Sequence, residues 1–245
     1  MEARLPQLSR LRRSCKMCFT PFISLTTAII EFAVATFILI KYKKYLVPVF
    51  SAILIYVLGF YQFTEFMLCS SGNPFLWAKM GFITYTFLPA IGLHFILKLA
   101  KNKKYNKLIY LIPIFFAIIA IITPNFIIKA SCSKVFVTVQ NVLASQNYAN
   151  LFPFYLIYYI GSILIIGIIL FILIKKERNK LDKKIERLWF MAGLITILIP
   201  IILILILPAL KIKFPSIYCE FALLFTIAAL ISSSLYVRKK KKEEI

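Results

Sequence analysis

The stretch F-P-S-I-Y-C-E-F-A-L-L-F-T-I-A-A-L-I-S-S-S-L-Y-V-R-K-K-K-K, residues 214–242, decides the fold. Its middle is apolar for about 20 residues, which at about 1.5 Å per residue crosses about 30 Å of hydrocarbon. It ends on five consecutive cations, Arg238 to Lys242. In lipid, backbone N–H and C=O groups have no water to bond, so such a run must be helical. A glutamate, Glu220, sits just inside its start. An acid there needs a partner or a task, because a charge at the bilayer centre costs roughly 2.5–3.5 kcal/mol on insertion scales.

Six further stretches meet the same length criterion. With 214–242 they give seven predicted spans, at 21–40, 46–68, 75–97, 108–128, 153–174, 188–209 and 215–237. The sixth holds I-L-I-L-I-L, a strand-like alternation, but an unpaired strand would leave its backbone polar groups without partners in lipid. Composition agrees: 61% of the 245 residues are hydrophobic and 16% charged, against about 45–50% and about 25% in soluble domains. The net charge of +21 would suit nucleic acid only if the cations gathered on one face, and they are instead dealt out in clusters between apolar runs. No nucleic-acid partner is expected. The partner implied is the lipid bilayer of the cell membrane.

Those clusters set the expected orientation, since cytoplasmic loops retain Lys and Arg. The link after span one carries three, that after span three five, that after span five seven, and the tail five. The opposite connections carry none, two and two. The expected fold is therefore an all-α polytopic bundle of seven transmembrane helices, amino end out and carboxyl end in. One segment disagrees. M-E-A-R-L-P-Q-L-S-R-L-R-R-S-C-K puts five cations on the outer side. Its apolar residues are too scattered for a signal-peptide core, and translation from Met17 would remove the anomaly. The expected organisation is a basic extension at 1–16, a seven-helix domain at 17–237 and a cytoplasmic basic tail at 238–245, where each cation gains about 1 kcal/mol from anionic headgroups.

From Met17, M-C-F-T-P-F-I-S resembles the opening of an uncharacterised multi-span membrane family whose members begin Met-Cys-Phe-Ser. L-G-F-Y-Q-F-T-E-F, 58–66, is similar to that family's Phe-Gly-x-Gln-Gln-x-x-Glu-Gly, and S-I-Y-C-E-F-A, 216–222, to its Ser-Val-Trp-Cys-Phe-Phe-Ala. Tyr61, Phe66 and Glu220 depart from the pattern, and the resemblance implies no activity. More loosely, W-A-K-M-G-F-I-T-Y-T-F-L-P-A-I-G-L-H-F, 77–95, is similar to the third span of seven-helix sensory regions of bacterial histidine kinases. Those feed a cytoplasmic output domain, so this chain would signal through a separate cytoplasmic partner.

Polar residues inside the spans are the candidate site. Glu31 lies near the middle of span one, while Glu65, Lys79 and Glu220 lie at similar depth near the outer ends of spans two, three and seven. Ser24, Thr27 and Glu31 share one helical face, as do Gln62, Glu65 and Cys69. The expected ligand-binding set is Glu31, Gln62, Glu65, Lys79 and Glu220, around a polar cavity open to the outside. The same groups would also serve as hydrogen-bonding glue that fixes helix register, at about 1 kcal/mol or less each, and Lys79 equally as a cation reaching the headgroups.

No metal or other cofactor and no catalytic residue is expected. His94 is the single histidine, too few for a zinc centre, and no nucleophile or phosphate-loop motif occurs. Four of the five cysteines, Cys18, Cys69, Cys132 and Cys219, fall at or near the expected outer side, where disulfides survive. Cys69 with Cys132, or Cys18 with Cys219, are the pairings considered, beside free thiols packed as small core residues. The loop 129–152 contains K-V-F-V-T-V-Q-N-V, an alternation that suits a strand or hairpin, either as ordinary packing or as a lid on the cavity. Pro89 and Pro200 fall within spans three and six, where they kink helices. The leading expectation is a receptor-like sensor for a small ligand or ion. A proton-coupled carrier using the carboxylates comes second, with no inverted repeat to support it, and an intramembrane enzyme is disfavoured.

Overall fold

The computed structural model describes residues 19–100, 108–132, 137–144, 151–177, 180–206 and 217–244, and of 19, 20, 138, 144, 197–206 and 217–221 the backbone alone. Among the described residues the fold is all-α with one hairpin. The helices are α1 (Phe19–Tyr42), α2 (Leu46–Ser70), α3 (Pro74–Leu99), α4 (Leu111–Ile122), α5 (Leu151–Lys176), α6 (Lys180–Ile206) and α7 (Ile217–Glu243). Five of them, α1, α2, α3, α5 and α7, contain stretches long and apolar enough to cross a membrane. They pack as a closed circuit. α1 lies on α2 and α7, α2 on α3, α3 on α4 and α5, α5 on α6, and α6 on α7.

Three expected boundaries move. The sequence predicts span four at 108–128, but α4 has only 12 residues, after a 3-10 turn at Leu108–Tyr110. Its end has a local cause. Pro124 cannot donate a helical hydrogen bond and pushes Thr123 to an extended ψ of 117°. Asn125 then turns the chain at a positive φ of 53°, a conformation that asparagine tolerates better than most residues. Helix α6 starts at Lys180, eight residues ahead of the predicted 188, so most of the charged link is helical. Helix α7 likewise runs on through Lys242 to Glu243, so the expected tail is a continuation of the last helix. Helices α3 and α6 run unbroken through Pro89 and Pro200.

The loop after α4 forms an antiparallel hairpin of β1 (Ile127–Cys132) and β2 (Val137–Asn141), with Cys132 opposite Val137. Phe126 and Leu143, which flank it, are fully buried. Phe126 stacks obliquely on Phe82 of α3 at 4.7 Å. Each large apolar side chain taken out of water this way contributes about 1.5–3 kcal/mol, so the hairpin is docked at both ends.

Outside this region the molecule is inverted relative to a soluble domain. Ile157, Phe154 and Leu164 of α5 are 60–69% exposed, and a continuous apolar surface of that kind is explained by lipid. Inside, close approach relies on small residues. A Cβ at Gly59 of α2 would lie 3.1 Å from the Cβ of Glu31, and one at Gly81 of α3 would lie 2.9 Å from Thr64 Oγ1. Helix α5 is attached to α3 around Thr86. The Thr86 hydroxyl lies 3.1 Å from that of Tyr155, and its carbonyl accepts from Tyr158 Oη at 2.8 Å.

Candidate functional site

A cleft of about 250 Å³ opens between α2 and α3 beneath the hairpin. Three periodicities build it. Helix α2 contributes Tyr61, Thr64, Glu65 and Leu68, the i, i+3, i+4, i+7 face of a helix. Helix α3 contributes Trp77, Ala78, Gly81, Phe82 and Tyr85, again one face. Strand β2 contributes Val137, Val139 and Asn141, alternate residues and hence one side of a strand.

Local structure fixes these walls. Asn73 caps α3, its Oδ1 accepting from the Leu76 N–H at 3.3 Å, with Pro74 at the first helical position. Thr64 donates to the Tyr61 carbonyl at 2.7 Å, and the missing side chain at Gly81 lets α3 close on it. The Ser24 hydroxyl of α1 donates to Glu65 Oε2 at 3.3 Å, so the polar face of α1 meets that of α2 at the cleft wall. The Tyr61 and Tyr85 rings meet edge to face at 6.0 Å.

A disulfide joins Cys69, one turn beyond Glu65 on α2, to Cys132 at the end of β1, with Cα atoms 5.5 Å apart. It ties the roof to the wall. Cys18 lies outside the described residues, as does the side chain of Cys219, so that alternative pairing is not part of the described structure.

Of the five expected ligand-binding residues, the described cleft lining includes one. Glu65 lines the cleft. Gln62 is buried, 1% exposed, on α2. Glu31 is fully buried together with Ser24 and Thr27, away from the cleft lining, with Gly59 across from it and Thr226 of α7 beside it. Neither of its oxygens has a hydrogen-bond partner among the described residues. Lys79 is expected in the cavity lining. It follows Ala78 on α3 but is not in the cleft lining, and among the described residues no carboxylate pairs with it. Glu220 is helical, and its side chain lies outside the described residues.

Sequence reasoning missed Tyr61, Thr64, Trp77, Tyr85 and Asn141. The signal for Tyr61 was its position one turn before Glu65, and that for Asn141 its phase in the alternating strand. A second polar group, at the far end of the bundle, was also missed. Asp182 of α6 is ion-paired with Lys239 of α7, and Lys44 reaches Glu244 at 3.2 Å. Glu186, 4% exposed, has one oxygen without a hydrogen-bond partner among the described residues. Burial first, then the charges of Glu177 and Asp182, push its carboxyl up to about 7, against the smaller pull of Lys183 and Lys239. His94 packs on Phe50 and shares a 2.9 Å hydrogen bond between Nδ1 and Tyr110 Oη. Among the described residues no group of three His, Cys, Asp or Glu side chains is placed to hold a metal ion.

Compared with protein-family models, with characterised proteins and with solved structures, the chain matches none.

Proposed function

We propose that this chain is a receptor-like sensor of the cell membrane, with seven spans, the amino end outside and the carboxyl end inside. A small ligand or ion enters the cleft beside Glu65, and the change in the α2–α3 pair passes to a cytoplasmic signalling partner. The observation that carries the reading is the cleft itself, with a carboxylate in its wall and a roof tied down by Cys69–Cys132. Two features support the orientation. The disulfide end suits an oxidising exterior, and the ion pairs Asp182–Lys239 and Lys44–Glu244 gather charged ends on the opposite side.

The test uses the full chain in lipid nanodiscs, screened against small ions and metabolites by thermal unfolding. Binding to the folded state raises Tm, so at least one compound should raise it in the wild type and not in Glu65→Gln. If every compound leaves the wild type unchanged, or acts equally on the variant, the reading fails.

A second reading, a proton-coupled carrier, draws on Glu31, buried within α1 with neither oxygen hydrogen-bonded among the described residues. Substrate-driven proton uptake in proteoliposomes, lost in Glu31→Gln, would favour it over the sensor. The chemistry proposed is binding and signalling, not catalysis.

A further inference from the structure

One face of α1 changes character at its middle. Ser24, Thr27, Glu31, Ala35 and Ile38 follow one another at helical steps and so share that face, and all five are 0–2% exposed. Polar side chains occupy it from the cleft end down to Glu31, and alkyl groups occupy it beyond. Helix α2, packed against α1, repeats the change. Gln62 stands on the cleft side of Gly59, whose missing side chain admits Glu31, and on the other side Ile55 and Ala52 are fully buried. On α7, Thr226 lies beside Glu31. Ala229 joins the same apolar cluster as Ala35, Ile38, Ala52 and Ile55, and Ser233 follows one turn further on.

Glu31 is therefore continuous with polar groups in one direction. Toward the cleft, Ser24 is about 10 Å away along the helix axis, and its hydroxyl donates to Glu65 Oε2 in the cleft wall at 3.3 Å. Toward the far end stands a plug of methyl and alkyl groups. Polar side chains relay protons within a membrane and hydrocarbon does not, so the cleft is the entrance.

Hydrogen bonding selects the proton as occupant. An ionised carboxylate only accepts, with about four lone-pair sites to fill, whereas the protonated acid donates one bond. Neither oxygen of Glu31 has a partner among the described residues, and the Thr226 hydroxyl directs its own proton to the Ala222 carbonyl at 3.0 Å. What Thr226 has left to offer is oxygen lone pairs, which match an acid O–H. Among the described residues no Lys, Arg or His forms an ion pair with Glu31. The titratable groups that face α1 from α2 are Glu65, held through Ser24, and Tyr56, bonded to Thr36. The buried face of α7 formed by Ala222, Thr226, Ala229 and Ser233 carries none, and the side chain of Glu220 lies outside the described residues.

We propose that Glu31 is a proton-binding site, loaded and unloaded through the cleft and sealed from the far end by Ala35, Ile38, Ile55 and Ala229. A proton from water in the cleft forms the O–H bond of the Glu31 acid and leaves by the same path, so none crosses the bundle. The cleft serves here as an entrance, whatever else binds in it. Failure of the proposal leaves the sensor reading standing.

The experiment uses the full chain in sealed phosphatidylcholine vesicles, with dicyclohexylcarbodiimide as the probe. This reagent couples to a protonated carboxyl in apolar surroundings: the acid proton moves to a carbodiimide nitrogen, the carboxyl oxygen bonds the central carbon, and the adduct rearranges to a stable N-acylurea. After labelling, external trypsin cuts after Lys129 only in chains whose cleft faces outward. Reduction of Cys69–Cys132 then frees the fragment ending at Lys129, which carries Glu31, for mass spectrometry. Label is expected on Glu31 in the wild type and none at that position in Glu31→Gln. Raising the outside pH from 6 to 9 with the lumen buffered at 6 should reduce labelling at least tenfold. Raising the lumen pH alone should change it less than twofold, and sodium chloride in place of choline chloride should leave it unchanged.

The proposal falls if Glu31 takes no label or if labelling ignores both pH values. It falls equally if labelling follows the lumen, alone or together with the outside, the second being the behaviour of a carrier with alternating access. Suppression by sodium at constant pH would assign the site to a metal cation and overturn it as well.

Discussion

Single residues carry the sharpest tests. Gly81 sits where α3 approaches α2 so closely that a methyl group would lie 2.9 Å from Thr64 Oγ1, and Thr64 cannot simply rotate away without losing its bond to the Tyr61 carbonyl. Gly81→Ala should therefore destabilise the protein by about 1–3 kcal/mol, the usual range for overpacking, and Thr64→Ala in the same chain should restore much of it. Thermal unfolding of the two variants checks this. Glu186 gives a pH test. Its folded carboxyl is pushed up to about 7 from its ordinary value of 4.5, so the folded state holds the proton more tightly than the unfolded state. Its contribution to stability is complete below pH 4.5, declines as pH rises toward 7, and is lost above that. Glu186→Gln should flatten this part of the Tm–pH curve and make the variant more stable than wild type at pH 8. A scan from pH 4 to 8 in matched lipid measures it. The two acids differ in how readable they were. Glu65 stood out because an acid inside an apolar run is costly. Glu186 did not, because its charge-rich neighbourhood reads as solvated until α6 folds it against α7.

At the scale of elements, the hairpin was foreshadowed by the alternation in K-V-F-V-T-V-Q-N-V, and its role as a roof was one of two open readings. The early end of α4 was harder to see. The apolar run continues through Phe126, Ile127 and Ile128, and hydropathy does not separate a helix in lipid from a strand docked on a bundle. Pro124 was the local clue, outweighed by the length of the run. The roof is now covalently tied to the wall, so its attachment can be tested directly. Replacing Cys69 and Cys132 by Ser should lower stability by about 2–4 kcal/mol, the common range for a natural cross-link, and should speed tryptic cleavage after Lys129. Limited proteolysis followed by mass spectrometry reads the second effect, and unchanged cleavage would mean that Phe126 and Leu143 hold the hairpin unaided.

At the scale of the whole molecule, the all-α class was legible because span length is a strong signal; among the described residues seven helices overlap the predicted spans, and five of them are long and apolar enough to cross a membrane. Helix ends were less legible because charges that stop a span need not stop a helix: α6 begins, and α7 ends, in charged turns that pair with each other. Side chains were least legible. Helical spacing gives the face of a residue but not the neighbour that face meets, which is why Lys79 misses the cleft on the adjoining helix. Orientation is tested with a membrane-impermeant thiol reagent on intact cells. After reduction Cys132 should be labelled from outside, whereas a cysteine introduced at Lys241 should be labelled only after permeabilisation.

The Thr86 junction has a mechanical consequence. Two tyrosines of α5 engage one residue of α3, one through its hydroxyl and one through its carbonyl, and in hydrocarbon no water stands ready to replace either bond. Sliding α5 along its axis would break both together, whereas swivelling about that point need not. Any message passing through this pair of helices would travel as torsion, not as a piston stroke.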